Sequence, residues 1–204
     1  TELGIQEARS AADRLRNAGL SFDQAFTSVL HRAVDSLSII QEEMHLSSLL
    51  VVQTWTLNER HYGCLQGLNK AETARRLGHD RVMYWRRSYR GRPPALEWDD
   101  YRHPRFDPRY SFLPPEQLPC SESLQDTVER LLPFWHSSIV PAIRSGRRVL
   151  ILAHGNSLRA LIKYLEDIPE AEVPGIHVPT GTPMIYELGL DLRPIRRYDL
   201  VNST

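Results

Sequence analysis

The sequence predicts an α/β fold with three layers (α/β/α), in which a mostly parallel central sheet is covered by helices on both faces. Two observations favour this class. Helical and strand-like patterns alternate along the 204 residues, as they do when crossover helices join parallel strands. Residues 149–153 also form an unbroken apolar run, which is typical of a strand buried on both faces. The length suits one such domain, so we expect a single domain over residues 1–204.

The first quarter of the chain supplies four alternating elements. Apolar spacing predicts a helix over residues 1–20, a strand over 22–26, a helix over 27–44 and a buried strand over 49–52. Thr27 or Ser28 can cap the second of these helices, because both side chains carry an oxygen that accepts from a backbone N–H.

Two shorter helices and a proline-rich segment follow. Asn69 and Glu72 form a capping-box pattern for a helix that ends near Gly78, and Asp80 begins another. Residues 90–120 then hold seven of the 14 prolines, interleaved with aromatic side chains. A long loop of this kind inside one domain is typical of a lid or binding loop, and its aromatic residues predict that it packs against the domain.

The remaining elements alternate again. A long helix is predicted over about residues 121–145, with a bend at Pro133 or Pro141. The apolar strand comes next, followed by a helix, and residues 184–188 predict one more strand. The rest of the chain, to Thr204, is predicted to be a polar tail.

A candidate ligand site lies where the apolar strand ends in His154, Gly155 and Asn156. Asn156 or Ser157 can cap the helix that follows. The carboxyl ends of parallel strands are where open α/β sheets bind ligands, and the free N–H groups at a helix start suit an anion. The alternative is an ordinary core turn whose histidine is merely polar.

Several further residues at predicted strand ends or helix starts carry the right chemistry for a polyanion pocket. The cations are Arg32, Arg60, Lys70, Arg86 and Arg87. Guanidinium groups match phosphate and carboxylate oxygens, although each cation taken alone reads as a solvated surface residue. Glu59 follows a strand and is a candidate general acid, the alternative being an ordinary salt-bridged carboxylate.

Composition narrows the classes of function. The 25 basic residues balance the 25 acidic ones, so nothing favours a nucleic-acid or membrane-surface partner. The two cysteines are too few for a disulfide framework. The sequence also has no apolar run of membrane-spanning length and no signal-peptide pattern. We therefore expect a cytoplasmic protein. The sequence holds no phosphate loop, no zinc-ligand spacing and no complete nucleophile elbow.

Six segments together resemble one family. They are TSVLHRA at 27–33, LNERHYGCLQGLNKAE at 57–72, WRRSY at 85–89, a helix start at 122–135, AHGNSLRAL at 153–161 and PTGTP at 179–183. In this order they are similar to the motifs of the cofactor-dependent phosphoglycerate mutases, within the histidine phosphatase superfamily. The resemblance covers essentially the whole chain.

The resemblance implies roles for particular residues. Glu59 is expected to be the catalytic proton donor and acceptor, and His154 the second active-site histidine, which stabilises charge on the transferring phosphoryl group. The expected substrate contacts are Arg32, Glu59, Arg60, His61, Tyr62, Lys70, Arg86, Arg87, Gly155 and Asn156. The proline-rich segment and the helix with Arg86 and Arg87 are expected to close over the substrate.

The resemblance also implies a reaction, namely interconversion of 3-phosphoglycerate and 2-phosphoglycerate in glycolysis and gluconeogenesis. It would run through a phosphohistidine primed by 2,3-bisphosphoglycerate, without a metal, in a homodimer or homotetramer whose small-molecule partners are phosphoglycerates. Gln66 and Lys70 favour the mutase branch. The alternative within the same site is a bisphosphoglycerate synthase or phosphatase.

One departure concerns the phosphate-accepting histidine. In the resembled family it lies in an Arg-His-Gly motif on a first strand, upstream of the helix that here opens with Thr1-Glu2-Leu3-Gly4, and the 204 residues contain no such triplet. We expect that this strand was trimmed from the sequence rather than lost. If the 204 residues are the whole protein, the alternative is a phosphoglycerate-binding paralogue without activity.

Overall fold

The computed structural model describes residues 1–201. Over that range it contains seven α-helices and five β-strands. The helices are α1 (Glu2–Asn17), α2 (His31–Glu43), α3 (Lys70–Leu77), α4 (His79–Arg87), α5 (Leu124–Phe134), α6 (Val140–Arg144) and α7 (Gly155–Leu165). The strands are β1 (Gln24–Thr27), β2 (Leu50–Gln53), β3 (Val149–Leu152), β4 (Met184–Leu188) and β5 (Pro194–Asp199).

The central sheet is parallel and has the strand order β2-β1-β3. Gln24 of β1 lies opposite Leu50 of β2 on one side and Val149 of β3 on the other. Successive side chains of a strand point to opposite faces. Ala25 and Leu150 therefore face one layer of helices, while Phe26 and Ile151 of the same strands face the other.

Helices cover both faces of this sheet, as the sequence predicted. On one face, α1 and α2 pack through Ala12, Leu15 and Ile40 against Leu150 and other strand residues. On the other, α5, α6 and α7 surround Phe26, which is fully buried, in a cluster that includes Leu131, Trp135, Ile139 and Leu161. The three-layer α/β/α prediction is confirmed.

The two outer strands are less buried than predicted. All four residues of β1 are buried, whereas Leu50 of β2 is 51% exposed and every residue of β3 is half-buried. The prediction that the strand near residues 49–52 is fully buried was therefore wrong. An edge strand has a neighbour on one side only, and an apolar run in sequence does not reveal which strand takes the central position.

A second, two-stranded sheet ends the described chain. Strands β4 and β5 pair antiparallel, with Met184 opposite Asp199 and Tyr186 opposite Arg197. The predicted polar tail was wrong over Pro194–Asp199, because β5 carries charged residues and is largely exposed, so its sequence lacks the apolar alternation of a half-buried strand. Ile185 of the hairpin packs against the α1 and α2 layer.

The long helix predicted over residues 121–145 is interrupted. It runs as α5, then a π-helical turn at Trp135–Ile139, then α6. The interruption begins two residues after Pro133, which has no N–H to continue the hydrogen-bond ladder. Trp135 and Ile139 are buried in the core, so the turn directs two large side chains towards Phe26.

The proline-rich segment is ordered by three short 3₁₀ turns, at Pro104–Phe106, Pro108–Tyr110 and Pro115–Gln117. Tyr110 is buried and lies edge-on to Trp55, whose ring centroid is 6.3 Å away. Trp98, Tyr101, Phe106 and Phe112 are more than half exposed. The prediction that the aromatic residues pack down holds for Tyr110 and was wrong for these four.

Across residues 1–201, no helix is both long and apolar enough to cross a membrane.

Candidate active site

The carboxyl ends of the three parallel strands bring three distant segments of the chain together. Ser28 follows β1, Glu59 lies in the loop after β2, and His154 lies two residues after the end of β3. In parallel sheets these ends share one edge, which is where α/β folds bind ligands. The sequence prediction placed its candidate site at this edge.

His154 is buried and bonded through both ring nitrogens. Its Nε2 lies 2.7 Å from Oγ of Ser28, and its Nδ1 lies 3.0 Å from Nε of Arg32. A guanidinium only donates, so Nδ1 must be the accepting nitrogen. Nε2 then carries the proton and donates it to Ser28.

The same surroundings keep His154 uncharged. Burial is the main cause that lowers the pKa of His154 to about 4, and the positive charge of Arg32 is the second. The negative charge of Glu59 opposes them with a smaller effect. At neutral pH the imidazole is therefore neutral. It serves as a hydrogen-bonding group and not as a cation, and Arg32 supplies the positive charge beside it.

The start of α7 differs from the prediction. The N-cap is His154, not Asn156 or Ser157, and the helix begins at Gly155. The Ser157 hydroxyl accepts from the backbone N–H of His154 at 3.0 Å and so fixes the first turn from inside the helix. Likewise α2 has Leu30 as N-cap, not Thr27 or Ser28, and the Ser28 Oγ both accepts from the backbone N of Leu30 at 3.2 Å and contacts His154.

Asn156 connects this helix start to Glu59. Oε1 of Glu59 accepts from the side-chain Nδ2 of Asn156 at 2.9 Å, from its backbone N at 3.2 Å and from the backbone N of Arg60 at 2.9 Å. Within residues 1–201 the second oxygen, Oε2, makes no hydrogen bond. One oxygen thus orients the carboxylate, and the other has no partner among the described residues.

Tyr62 lies between two guanidinium groups. Its hydroxyl accepts from Nδ2 of Asn156 at 2.8 Å. The Cζ atoms of Arg60 and Arg86 lie 4.6 Å and 4.8 Å from the centre of its ring, within the range of cation–π attraction. Tyr62 therefore packs against both arginines and bonds the same Asn156 side chain that holds Glu59.

Arg60 is only 1% exposed, yet much of its guanidinium is unused. Nη2 donates to the carbonyls of Trp85 and Arg86, at 2.9 Å and 3.3 Å. Nε and Nη1 of Arg60, and Nε of Arg86, are buried and have no acceptor among the described residues. Buried N–H groups without acceptors cost free energy. An anion that reached these atoms would supply the missing acceptors.

A cavity of about 670 Å³ opens beside these groups. Seven of the residues expected to bind substrate line it, namely Arg32, Glu59, Arg60, His61, Tyr62, Lys70 and Arg86. His154, Gly155, Asn156 and Arg87 do not belong to its lining. His154 and Asn156 lie behind Arg32 and Glu59 and hold them through hydrogen bonds.

His61 uses its polar atoms to shape the loop. Its backbone N donates to Oε2 of Glu122 at 2.8 Å, and its ring Nδ1 accepts from the backbone N of Gly63 at 3.1 Å. Burial lowers the pKa of His61, against the raising effect of Glu122. A neutral imidazole is what the bond from Gly63 requires.

Sequence reasoning missed three side chains of this region. Ser28 was assigned only as a helix cap, whereas it bonds His154. Arg159 has a buried Nε without an acceptor within the described chain, and burial followed by the charge of Arg87 lowers its pKa. Its position three residues after Asn156, on the same face of α7, was the available signal. Arg130 belongs to the segment 122–135 that carries the family resemblance, but no role was assigned to it.

Candidate metal ligands do not cluster in this structure. Over residues 1–201 no group of three or more His, Cys, Asp or Glu side chains is arranged to hold a metal ion. Cys64 and Cys120 are free thiols, and Sγ of Cys120 lies 3.1 Å from Nε2 of His103, outside the cavity lining.

The fold and site together define an α/β protein with a basic anion pocket and one oriented carboxylate at the carboxyl edge of a parallel sheet. The sequence profile of the histidine phosphatase superfamily (branch 1) matches residues 1–105 and 96–198. The chain belongs to this superfamily.

Solved structures of other proteins share the fold. A mycobacterial glucosyl-3-phosphoglycerate phosphatase in its native form is 22% identical, with a TM-score of 0.65 over 98% of this chain and 85% of that one. Its complex with VO3 gives a TM-score of 0.69 at 23% identity over the same shares. The alpha-ribazole phosphatase of Shigella flexneri is 19% identical, with a TM-score of 0.64 over 96% of this chain and 81% of that one. At these identities the likeness concerns the fold.

Proposed function

We propose that this protein is a 2,3-bisphosphoglycerate-dependent phosphoglycerate mutase, which interconverts 3-phosphoglycerate and 2-phosphoglycerate. Membership of the histidine phosphatase superfamily supports phosphoryl-transfer chemistry. The segment 57–72, with Glu59, Arg60 and Lys70, resembles the mutase motif almost letter for letter and supports this branch.

One observation carries the proposal. Glu59, which has one carboxylate oxygen without a partner in residues 1–201, lines the same cavity as Arg60 and Arg86, whose buried N–H groups also lack acceptors there. A phosphoglycerate carries a phosphate, a carboxylate and a hydroxyl on three carbons. The two kinds of anionic group match the guanidinium donors, and the hydroxyl needs one acid or base at its side.

Each residue then has a defined task. Arg60 and Arg86 hold substrate oxygens and stabilise the charge that develops on the phosphoryl group. Glu59 takes the proton of the hydroxyl that accepts the phosphoryl group and returns it in the reverse direction. Asn156 keeps Glu59 in place, and neutral His154 keeps Arg32 at the cavity wall.

The primer 2,3-bisphosphoglycerate fits the same donors. It carries two phosphates and a carboxylate, and the unpartnered guanidinium atoms of Arg60 and Arg86, with Lys70 at the cavity wall, are the groups that would hold it. When bound it supplies the phosphoryl group that the resembled family loads onto the histidine of its Arg-His-Gly motif.

Two other functions have an observation in their favour. A phosphatase is favoured by the structural neighbours, which are a glucosyl-3-phosphoglycerate phosphatase and an alpha-ribazole phosphatase. Binding of phosphoglycerate without turnover is favoured by the unpartnered N–H groups of Arg60 and Arg86, which can hold an anion without any transfer. A bisphosphoglycerate synthase would use the same site residues as the mutase.

The test compares rates on one preparation of the protein. Mutase, bisphosphoglycerate synthase and phosphatase activities are measured with and without 2,3-bisphosphoglycerate, and the intact mass is recorded before and after exposure to it. We expect the mutase rate to exceed the others, to depend on 2,3-bisphosphoglycerate, and to accompany the gain of one acid-labile phosphoryl group. A dominant phosphatase rate would mean that the protein is a phosphatase and not a mutase. Saturable binding of 3-phosphoglycerate without any turnover would mean that it is a binding protein.

A further inference from the structure

A buried ion pair lies behind the loop that carries Glu59. Nε of Arg130, on α5, lies 2.5 Å from Oε1 of Glu122, which stands two residues before that helix. The side chains are 9% and 6% exposed. Moving two charges out of water costs several kcal/mol for each ion, so a pair in this position needs further hydrogen bonds to be stable.

Those further bonds all go to the loop after β2. Arg130 also donates to the carbonyls of Thr56 and Asn58, the second at 2.8 Å, and its Cζ lies 5.7 Å from the ring centre of Trp55. The planar guanidinium serves three acceptors at once, which a single ammonium on a flexible stem does not reproduce.

Glu122 holds the same loop from its other end. Its Oε2 accepts from the backbone N of His61 at 2.8 Å, and its own backbone N donates to the carbonyl of His61 at 2.9 Å. The contacts with Asn58 and His61 fall immediately before and after the dipeptide Glu59-Arg60. The two members of one ion pair therefore hold the backbone on both sides of the expected catalytic carboxylate.

We propose that the Glu122–Arg130 pair is the positioning element that sets the backbone at Glu59. This inference rests on the proposed role of Glu59 in phosphoryl transfer. The loop over residues 54–62 has little regular structure beyond one 3₁₀ turn at Trp55–Leu57, so the strand pairing of the sheet does not fix it. The ion pair, together with the side-chain hydrogen bonds of Asn58 to Val29 and Tyr110, supplies the fixed reference, and its two side chains do not line the cavity.

Because Arg60 is anchored separately from Glu59, we expect different effects on kcat and on KM. Its guanidinium is anchored independently, by the carbonyls of Trp85 and Arg86 and by the ring of Tyr62. Weakening the Glu122–Arg130 pair therefore displaces the Glu59 carboxylate more than the substrate-binding guanidinium. A displaced proton donor lowers kcat, whereas KM depends on the retained cations.

The experiment compares Arg130→Lys and Glu122→Gln with Arg148→Lys, a matched change in the exposed Arg148–Asp23 pair. All rates are measured well below each unfolding midpoint. We expect Arg130→Lys to lower kcat at least tenfold and to change KM less than threefold. Glu122→Gln keeps an acceptor for the His61 N–H, so its kcat should fall less than that of Arg130→Lys. The kcat of Arg148→Lys should stay within twofold of the unsubstituted protein.

Amide hydrogen exchange gives a second measurement that needs no turnover. In Arg130→Lys the amides of Arg60 and His61 should exchange at least tenfold faster, while those of β1 stay unchanged. An equal acceleration in β1 would mean general destabilisation and would overturn the inference, as would an unchanged kcat in an active, folded variant. If the unsubstituted protein shows no turnover, the proposed function fails, and the exchange at Arg60 and His61 alone decides the positioning role.

Discussion

Arg32 donates its Nε–H to Nδ1 of His154 across 3.0 Å, so a permanently charged side chain faces a buried imidazole. A nitrogen that accepts a hydrogen bond from a guanidinium cannot carry a proton itself. Protonation of His154 must therefore break this contact and place two positive charges side by side. The arrangement is stable only while the histidine is neutral.

We expect the stability of the protein to fall in mild acid because of His154. Its pKa is lowered to about 4 in the folded state, below the 6.5 of a free histidine. The unfolded chain therefore binds the extra proton first. The stability that comes from neutral His154 is fully present above about pH 6.5 and is lost as the pH falls towards 4. The free energy of unfolding falls by at most about 3 kcal/mol from this cause. Urea unfolding at pH 7.5, 5.5 and 4.5 measures it.

The control for this prediction is His154→Gln, which cannot titrate. Other groups with lowered pKa values, such as His61 and His103, are the same in both proteins. Their effects cancel when the pH dependence of the two free energies of unfolding is compared. Parallel curves for the two proteins would show that His154 does not contribute.

Replacing Glu59 by Gln should remove the proton transfer and keep the binding. The Gln carbonyl can still accept from Asn156, so the loop should stay in place. We expect kcat to fall about 10²- to 10⁴-fold, as for other general acid–base residues, with the affinity for 3-phosphoglycerate changed only slightly. Steady-state kinetics and calorimetric binding measure the two effects. Glu187→Gln, on β4, is the control, and an equal loss there would contradict the assignment.

Inorganic phosphate should stabilise the protein through Arg60. Its buried Nε and Nη1 have no acceptor within residues 1–201, and a bound phosphate provides oxygens for both. A ligand that binds only the folded state adds about 2.7 kcal/mol at a hundred times its Kd. Thermal unfolding is measured in phosphate and in chloride of equal ionic strength. The increase in Tm should be much smaller in Arg60→Met; an equal increase would place the phosphate elsewhere.

Substitution of two glycines near the site distinguishes the cost of backbone strain from the cost of steric crowding. Gly63 has φ +55° and Gly67 has φ +76°, both in the left-handed region. A Cβ on Gly63 would lie 2.2 Å from the carbonyl oxygen of Pro94, whereas one on Gly67 would meet nothing within 4 Å. We expect Gly67→Ala to cost about 1–2 kcal/mol and Gly63→Ala clearly more.

The larger loss at Gly63 has a specific cause. The carbonyl of Pro94 accepts from the backbone N of Cys64 at 2.9 Å, so the added methyl must push the proline-rich segment away and break this bond. Chemical denaturation of both variants measures the difference. Equal losses would mean that the contact with Pro94 yields at no cost.

The sequence predicted what depends on local pattern and on motif. The apolar run before His154 and the helical spacing after it placed a strand, a turn and α7 correctly, which put His154 at the carboxyl edge of the sheet. The resemblance of residues 57–72 then singled out Glu59, which the structure places beside Asn156 from a segment far along the chain.

What the sequence missed depends on tertiary partners. Ser28 has the pattern of a helix cap, and only the neighbouring strand β3 brings His154 within 2.7 Å of it. Arg130 lies in an amphipathic helix among other charged residues, and nothing local marks it as buried. The charged strand β5 is defined by pairing with β4 and not by an apolar alternation.

The contacts that hold His154 and Glu59 also determine when the site can form. Ser28 and His154 are 126 positions apart in the chain, Arg32 and His154 are 122 apart, and Glu59 and Asn156 are 97 apart. Closing loops of this length costs chain entropy before any contact is gained, which slows folding. Strand β3 must therefore dock before His154 and Asn156 can hold Arg32 and Glu59 at the cavity wall, and ligand binding that needs these two residues would report a late stage of assembly.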